Sequence, residues 1–350
     1  MLTLDDEKEI TNLLGAFLAR DLHHDPRYLR LFQEYTGQRA LYFHYATDHG
    51  DCLLPFFERP LKDVGGSIGE KDLVSPWYFG GPLNNFTDRD LAKESAQDFL
   101  KRLDGYCKDN GIVSQFQRLN PVLENHTFYG VDAGVRFNRH VASIELRKDL
   151  AGVRATYAHK VRKNIRRAHE SGLRVERSFS ADALRHFIRL YSASMDRKSA
   201  GTFYYFNDSF FDNLFRTLPN EAQLFTVYLG ETAVTSSIAV GNGMILHDYL
   251  RAADPEYLHM RPNDLVVDEI AAWAHGEGYS EYVLGGGNST KDDDPQLRFK
   301  CAFSGSTKDF YIYKKVHDRD RYVRRCVEEG KSATDLHYGE SDYFPEYKTA

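Results

Sequence analysis

One stretch, Tyr282 to Gly305 (YVLGGGNSTKDDDPQLRFKCAFSG), brings together the residues best suited to chemistry on a carbonyl. An apolar strand runs into Gly285, Gly286 and Gly287, an acidic loop follows, and Arg298, Phe299 and Lys300 lead into a second apolar run. Glycine admits positive φ and close backbone approach. A lysine cation held near a reacting carbonyl stabilises the negative charge that grows during acyl transfer. The plainer alternative is a turn followed by solvated charges. Cys301, next to Lys300, could be a low-pKa thiolate or a structural cysteine.

Further polar groups sit upstream. The segment Met244 to Leu250 alternates like a strand and continues into Arg251, so a regular pleat places His247, Tyr249 and Arg251 on one face. His247 and Asp248 are the candidate general bases, and on opposite faces at most one of them meets a substrate. The alternative for His247 and Tyr249 is a satisfied core position. Arg197 precedes Gly201 and the aromatic run Phe203-Tyr204-Tyr205-Phe206, where its planar fork could grip a carboxylate or phosphate.

These residues need elements to hold them. In the first half, Leu4–Leu18 reads as a helix, Arg39–Thr47 and Asp51–Phe57 as paired strands, Leu91–Lys108 as an amphipathic helix and Ile112–Gln117 as a strand. The loop SPWYFGGP (Ser75 to Pro82) cannot continue a helix. After a strand Val141–Leu146, the segment RATYAHKVRKNIRRAHESG puts Tyr157, Val161, Ile165 and Ala168 on one helical face. Six Lys or Arg between Arg154 and Arg167, with no acidic residue among them, make the other face basic. A solvated face usually mixes signs, so Arg162, Lys163 and Arg166 are candidates to meet an anionic partner. The second half continues with strand Leu173–Glu176, helices Ala181–Met195 and Asp208–Leu218, and strands Gln223–Leu229, Ala233–Val240 and Met244–Leu250. Then come a helix Asp264–His275, capped by Asn263, and a strand Glu281–Leu284. Helix, glycine and strand follow one another in both halves, which suggests duplication. The expected division is 1–150, 151–330 and a tail 331–350.

Composition narrows the classes. The 350 residues suffice for about two domains. A net charge of −6 argues against a broad nucleic-acid coat, and DNA is not an expected partner, although a local basic patch is compatible with it. No apolar run approaches ~18 residues and Asp5, Asp6, Glu7 and Glu9 occupy the start, so neither a transmembrane segment nor a signal peptide is expected and the location reads as cytoplasmic. Cys52, Cys107, Cys301 and Cys326 form no CxxC pair, and the 14 histidines show no ligand spacing, so no metal is expected.

Acetyl-CoA-dependent N-acetyltransferases of the GNAT type cradle pyrophosphate with a Q/R-x-x-G-x-G/A loop. The corresponding segment here, RAADPEYLHMRPND, has no glycine, leaving the helix start at Asn263, with Arg251 before it, as an anion site. The succession HKVRKNIRRAHESGL, an arginine with aromatics, LHMRPNDLVVDEIAAWAHGEGYSEYVLGGG and RFKCAFSG resembles the Fem-type (FemAB-like) family, the peptidoglycan bridge-forming aminoacyltransferases and their GNAT relatives. The resemblance covers most of Arg154 to Gly305. It implies an α/β fold of two tandem GNAT-like (acyl-CoA N-acyltransferase-like) domains, mixed central sheets flanked by helices, with an acceptor cleft between or along them.

Family members move an amino acid from aminoacyl-tRNA to an amine of a peptidoglycan precursor. Carried over, the family's Phe-Lys pair matches Phe299-Lys300, its acceptor-binding residues match Arg197 with Tyr204 or Tyr205, and a strand tyrosine matches Tyr249. The helical arm of some members is missing. The implied activity is N-acyl transfer without a permanently bound cofactor, the acyl donor being a co-substrate. Two donors stay open: aminoacyl-tRNA, or an acyl-CoA or carrier used on an amino sugar or other cell-envelope precursor. A catalytically silent binding module on the same scaffold is the third reading.

Overall fold

A computed structural model describes residues 1–63, 69–130, 132, 134–198, 205–340 and 343–348. The chain forms two compact units, residues 1–138 with 309–350, and residues 139–308. This division differs from the expected 1–150, 151–330 and 331–350. The reason is strand pairing at the end of the chain: Ile312 to Val316 run antiparallel to Ser114–Arg118 and so join the first unit.

In the first unit the strands stand in the order Leu2–Thr3, Arg39–Thr47, Gly50–Pro60, Lys71–Val74, Ile112–Arg118 and Thr307–Val316. Arg39–Thr47 and Gly50–Pro60 form the expected antiparallel hairpin. Lys71–Val74 and Ile112–Arg118 are parallel, and the helix Arg89–Asp109 crosses between them. A parallel pair requires such a crossover. Phe99, Leu103 and Cys107 of that helix pack on Leu41, Phe43, Phe56 and Leu73 of the strands. The expected helix Leu4–Leu18 is shorter, a 3₁₀ turn at Leu4–Asp6 and a helix Glu7–Gly15.

The tail packs back on this unit. Leu336, Phe344 and Tyr347 complete a core with Val113, Tyr322 and Cys326. Tyr347 donates its hydroxyl to the buried Asp72, which also accepts from Ser114 (2.8 Å) and Arg59 (2.7 Å).

The second unit repeats the plan. Its strands stand in the order Val135–Glu145, Glu281–Gly285, Ile245–Ala253, Thr232–Gly241, Ala222–Leu229 and Leu173–Arg177. Only Ile245–Ala253 and Glu281–Gly285 are parallel among its described pairs, and the helix Pro262–Gly276 crosses between them. Leu265, Val266, Ile270 and Ala274 bury that helix against Leu246, Tyr282 and Leu284. In both units the crossover helix ends just before a glycine with left-handed backbone, Gly111 (φ 70) and Gly278 (φ 84). An L side chain rarely adopts that conformation, which is why the helix, glycine and strand order recurs.

Two local readings change. The basic segment is two helices, Leu150–Ala155 and His159–Glu170, with Tyr157 in the break between them. Val161 and Ala168 are buried as the spacing required, while Tyr157 reaches the core from the connection. Among the described residues no helix is long and apolar enough to cross a membrane.

Burial and the neighbouring Arg59 push the Lys348 amine down to about 8, with Asp72 opposing. Its folded pKa lies below the unfolded value of 10.5, so the buried amine weakens the fold below about pH 8 and this penalty fades as pH rises toward 10.5. Denaturant titrations should therefore show stability rising less between about pH 8 and about pH 10 in Lys348→Met than in the unaltered chain.

Candidate functional site

The parallel ladder of the second unit is short. Ile245 pairs with Glu281, Leu246 with Tyr282 and His247 with Val283, and there the pairing ends. Beyond it the strand Ile245–Ala253 stays with Thr232–Gly241, while its parallel neighbour turns off at Gly285 (φ 81). The two strands therefore fork after His247.

A β-bulge decides what stands at the fork. Ile238 pairs with Leu250 and Ala239 with Asp248, so Tyr249 is the extra residue of the bulge. A bulge re-aims the side chains that follow it. The expected grouping of His247, Tyr249 and Arg251 on one face is thus corrected: Arg251 forms an ion pair with Asp248, three residues earlier. Asp248 also accepts from Ser237 Oγ (3.2 Å) and Tyr282 Oη (3.4 Å). Arg251 reaches the Asn263 carbonyl at 3.5 Å and lies 5.7 Å over the Phe299 ring. Burial opposes the Arg251 charge, but Asp248 and Tyr282 outweigh it and raise the guanidinium further.

The helix Pro262–Gly276 starts differently from expectation. Its N-cap is Arg261, in left-handed backbone (φ 67), and Asn263 lies inside the first turn. Pro262 has no amide hydrogen, and the Asp264 and Leu265 amides both donate to the Arg261 carbonyl (3.1 and 3.3 Å). The Asp264 side chain is buried and accepts from Asn164 Nδ2 at 2.9 Å. Burial raises its carboxyl, against the pull of Asn164, Arg261 and Arg251.

Lys300 lies on a short helix, Pro295–Cys301, capped by Asp294. Its Nζ donates to the Gly286 carbonyl at 2.8 Å. Arg139 holds the same loop through the carbonyls of Gly287 (3.0 Å) and Ser289 (3.3 Å). A Cβ at Gly287 would sit 2.4 Å from the Asp294 carboxyl carbon, so the glycine is a packing requirement. Burial works to raise Asp294, yet the Leu297, Ser289 and Gln296 amides and the Ser289 hydroxyl hold it at about 2. Burial raises the Cys301 thiol, more than Lys300 lowers it, so the reactive-thiolate reading falls away.

Residues 155–300, inside this unit, match the family model of the acetyltransferase (GNAT) domain. A FemX crystal structure superposes with a TM-score of 0.67 at 15% identity, covering 94% of this chain and 99% of that one. The fold is the Fem-type tandem GNAT fold. Structures with other descriptions are also similar to this chain. The C-terminal domain of a putative lysylphosphatidylglycerol synthetase from Agrobacterium fabrum has a TM-score of 0.55 at 12% identity, covering 89% of this chain and 91% of that one. A conserved protein of unknown function from Bacteroides thetaiotaomicron has a TM-score of 0.56 at 10% identity, over 89% and 97%. No curated protein sequence matches the chain significantly.

On this Fem-type frame the expected residues fall in separate places. Asp248, Arg251 and Phe299 meet at the fork, and His247 is buried in the last pair of the ladder. Tyr249 is buried at the bulge, and Arg298 is exposed on the short helix. Arg197 is exposed and donates to the Ala253 carbonyl (3.0 Å), tying the helix Ala181–Lys198 to the strand end. Tyr205 is exposed beside Asp196, and Tyr204 lies outside the described residues. Arg162, Lys163 and Arg166 are exposed on the helix His159–Glu170, with Lys160 and Arg167. Arg154 instead turns inward to a two-pronged contact with the buried Asp268 (2.9 and 2.7 Å).

Sequence reasoning missed Ser237, Tyr282 and Asp264, whose roles depend on the bulge and the crossover. It also missed Asp294, although aspartate before proline at a helix start is a readable signal. Replacing Asp294 by alanine should speed amide hydrogen exchange across residues 286–297 while leaving the sheet amides protected, because the cap and both Ser289 bonds are lost together.

Proposed function

We propose that the protein is an N-acyltransferase that moves an aminoacyl group from a charged tRNA to an amine of a cell-envelope precursor of the peptidoglycan type. The observation that carries the choice of donor is the exposed basic face of His159–Glu170, standing on the same unit as a glycine-free turn into the crossover helix. Phosphodiesters of an RNA suit several separated cations, each worth a share of salt-sensitive affinity. The activity itself is the one implied by the Fem-type resemblance, and the GNAT-domain match over 155–300 supports acyl transfer as its chemistry.

The acceptor amine attacks the ester carbonyl, the carbon–nitrogen bond forms and the ribose oxygen leaves. Lys300, steadied by the Gly286 carbonyl, supplies positive charge to the developing oxyanion. Arg197 orients the acceptor with Tyr205, and Phe299 packs over Arg251 as the wall beside it. His247 or Asp248 takes the proton, and Asp248 is also bonded to Arg251, Ser237 and Tyr282.

Removing the Lys300 ammonium should lower turnover about a hundred- to a thousandfold with little change in the melting temperature. Near-normal turnover in a folded Lys300→Ala variant would remove it from the mechanism. Independently, changing Arg162, Lys163 and Arg166 together to alanine should weaken charged-tRNA binding and flatten its logarithmic salt dependence by about 2 to 3 units. An unchanged salt slope in filter-binding titrations would mean that RNA does not use this face.

A further inference from the structure

A diphosphate on the crossover helix of the second unit would need orphan amides and a net positive surrounding. Among the described residues of this helix start, the Asn263 amide alone is left for it. Pro262 has no amide hydrogen, and the Asp264 amide folds back on the Arg261 carbonyl at 3.1 Å. Around Asp264 the charges of Arg251 and Arg261 are opposed by Asp248 and by Asp264 itself. Asp248 neutralises Arg251 directly. Asp264 occupies the first turn itself, buried at 5% exposure, where its carboxylate already satisfies the positive end of the helix. Asn164, from the basic helix, fixes it there at 2.9 Å.

We propose that Asp264 is a specificity-determining residue, which makes this site reject donors carrying a pyrophosphate, CoA thioesters among them. A pyrophosphate arriving at the helix start meets a fixed carboxylate, and no glycine lets the backbone of Asp254–Arg261 wrap around it. The 3′ end of a charged tRNA carries no pyrophosphate and pays no such repulsion. The inference rests on the donor assigned above, and adds the residue that enforces it.

Calorimetric titration of the intact chain with CoA and with acetyl-CoA tests it. The unaltered protein should bind both at least about tenfold more weakly than Asp264→Asn, which keeps the shape and the neighbour Asn164 but removes the charge. Asp264→Ser, a residue suited to a helix start, repeats the measurement if the asparagine variant folds poorly. Tight binding of CoA by the unaltered chain would overturn the inference and the tRNA donor together. Weak binding by the unaltered chain and by folded variants alike would overturn the role of Asp264 alone, leaving the donor assignment standing.

Discussion

The second unit depends on one buried ion pair. Asp248 and Arg251 lie three residues apart on a strand, a spacing that a regular pleat sends to opposite faces, and the bulge at Tyr249 brings them together. The arginine then ties three elements at the fork: its own strand, the Asn263 carbonyl of the crossover helix, and the Phe299 ring beside Lys300. Truncating one member would leave the other buried and uncompensated, a loss of about 3 to 5 kcal/mol. Ser237 and Tyr282 both donate to the other carboxylate oxygen of Asp248, so the pair sits within a buried hydrogen-bond network.

From that anchor the loop chemistry follows. The strand Glu281–Gly285 leaves the ladder after Val283, while its neighbour stays paired with Thr232–Gly241 and is braced by the ion pair. Gly285 turns the chain, Gly287 lets Asp294 close in, and Asp294 caps the helix that presents Lys300. Two glycines of the run are thereby explained, Gly285 by its backbone and Gly287 by packing against Asp294, and the cation arrives on a short, capped helix whose first turn is locked to the loop by Ser289. A preorganised cation is what charge stabilisation in a transition state requires.

Much of this was legible in the sequence, and the limits have physical causes. Hydrophobic period and glycine punctuation marked the hairpin Arg39–Thr47 with Gly50–Pro60, both crossover helices and the strand before the glycine run, because those signals are local. The side-chain pattern of Met244 to Arg251 misled, since a bulge is set by the partner strand and leaves no mark in its own residues. The domain boundary misled for a similar reason: the pairing of Ile312–Val316 with Ser114–Arg118 is a contact across two hundred residues of sequence. Lys300 was visible from its family motif, whereas Asp264 stood in the sequence only as the first residue of a helix, because its burial and its bond to Asn164 depend on the fold.

The account stands or falls on what is transferred. Incubating the protein with mixed aminoacyl-tRNAs, and separately with acetyl-CoA, on a panel of peptidoglycan and amino-sugar precursors, followed by mass spectrometry, measures it directly. The account predicts products heavier by an amino-acid residue, formed only with charged tRNA. Products heavier by an acetyl group, formed from acetyl-CoA, would contradict it.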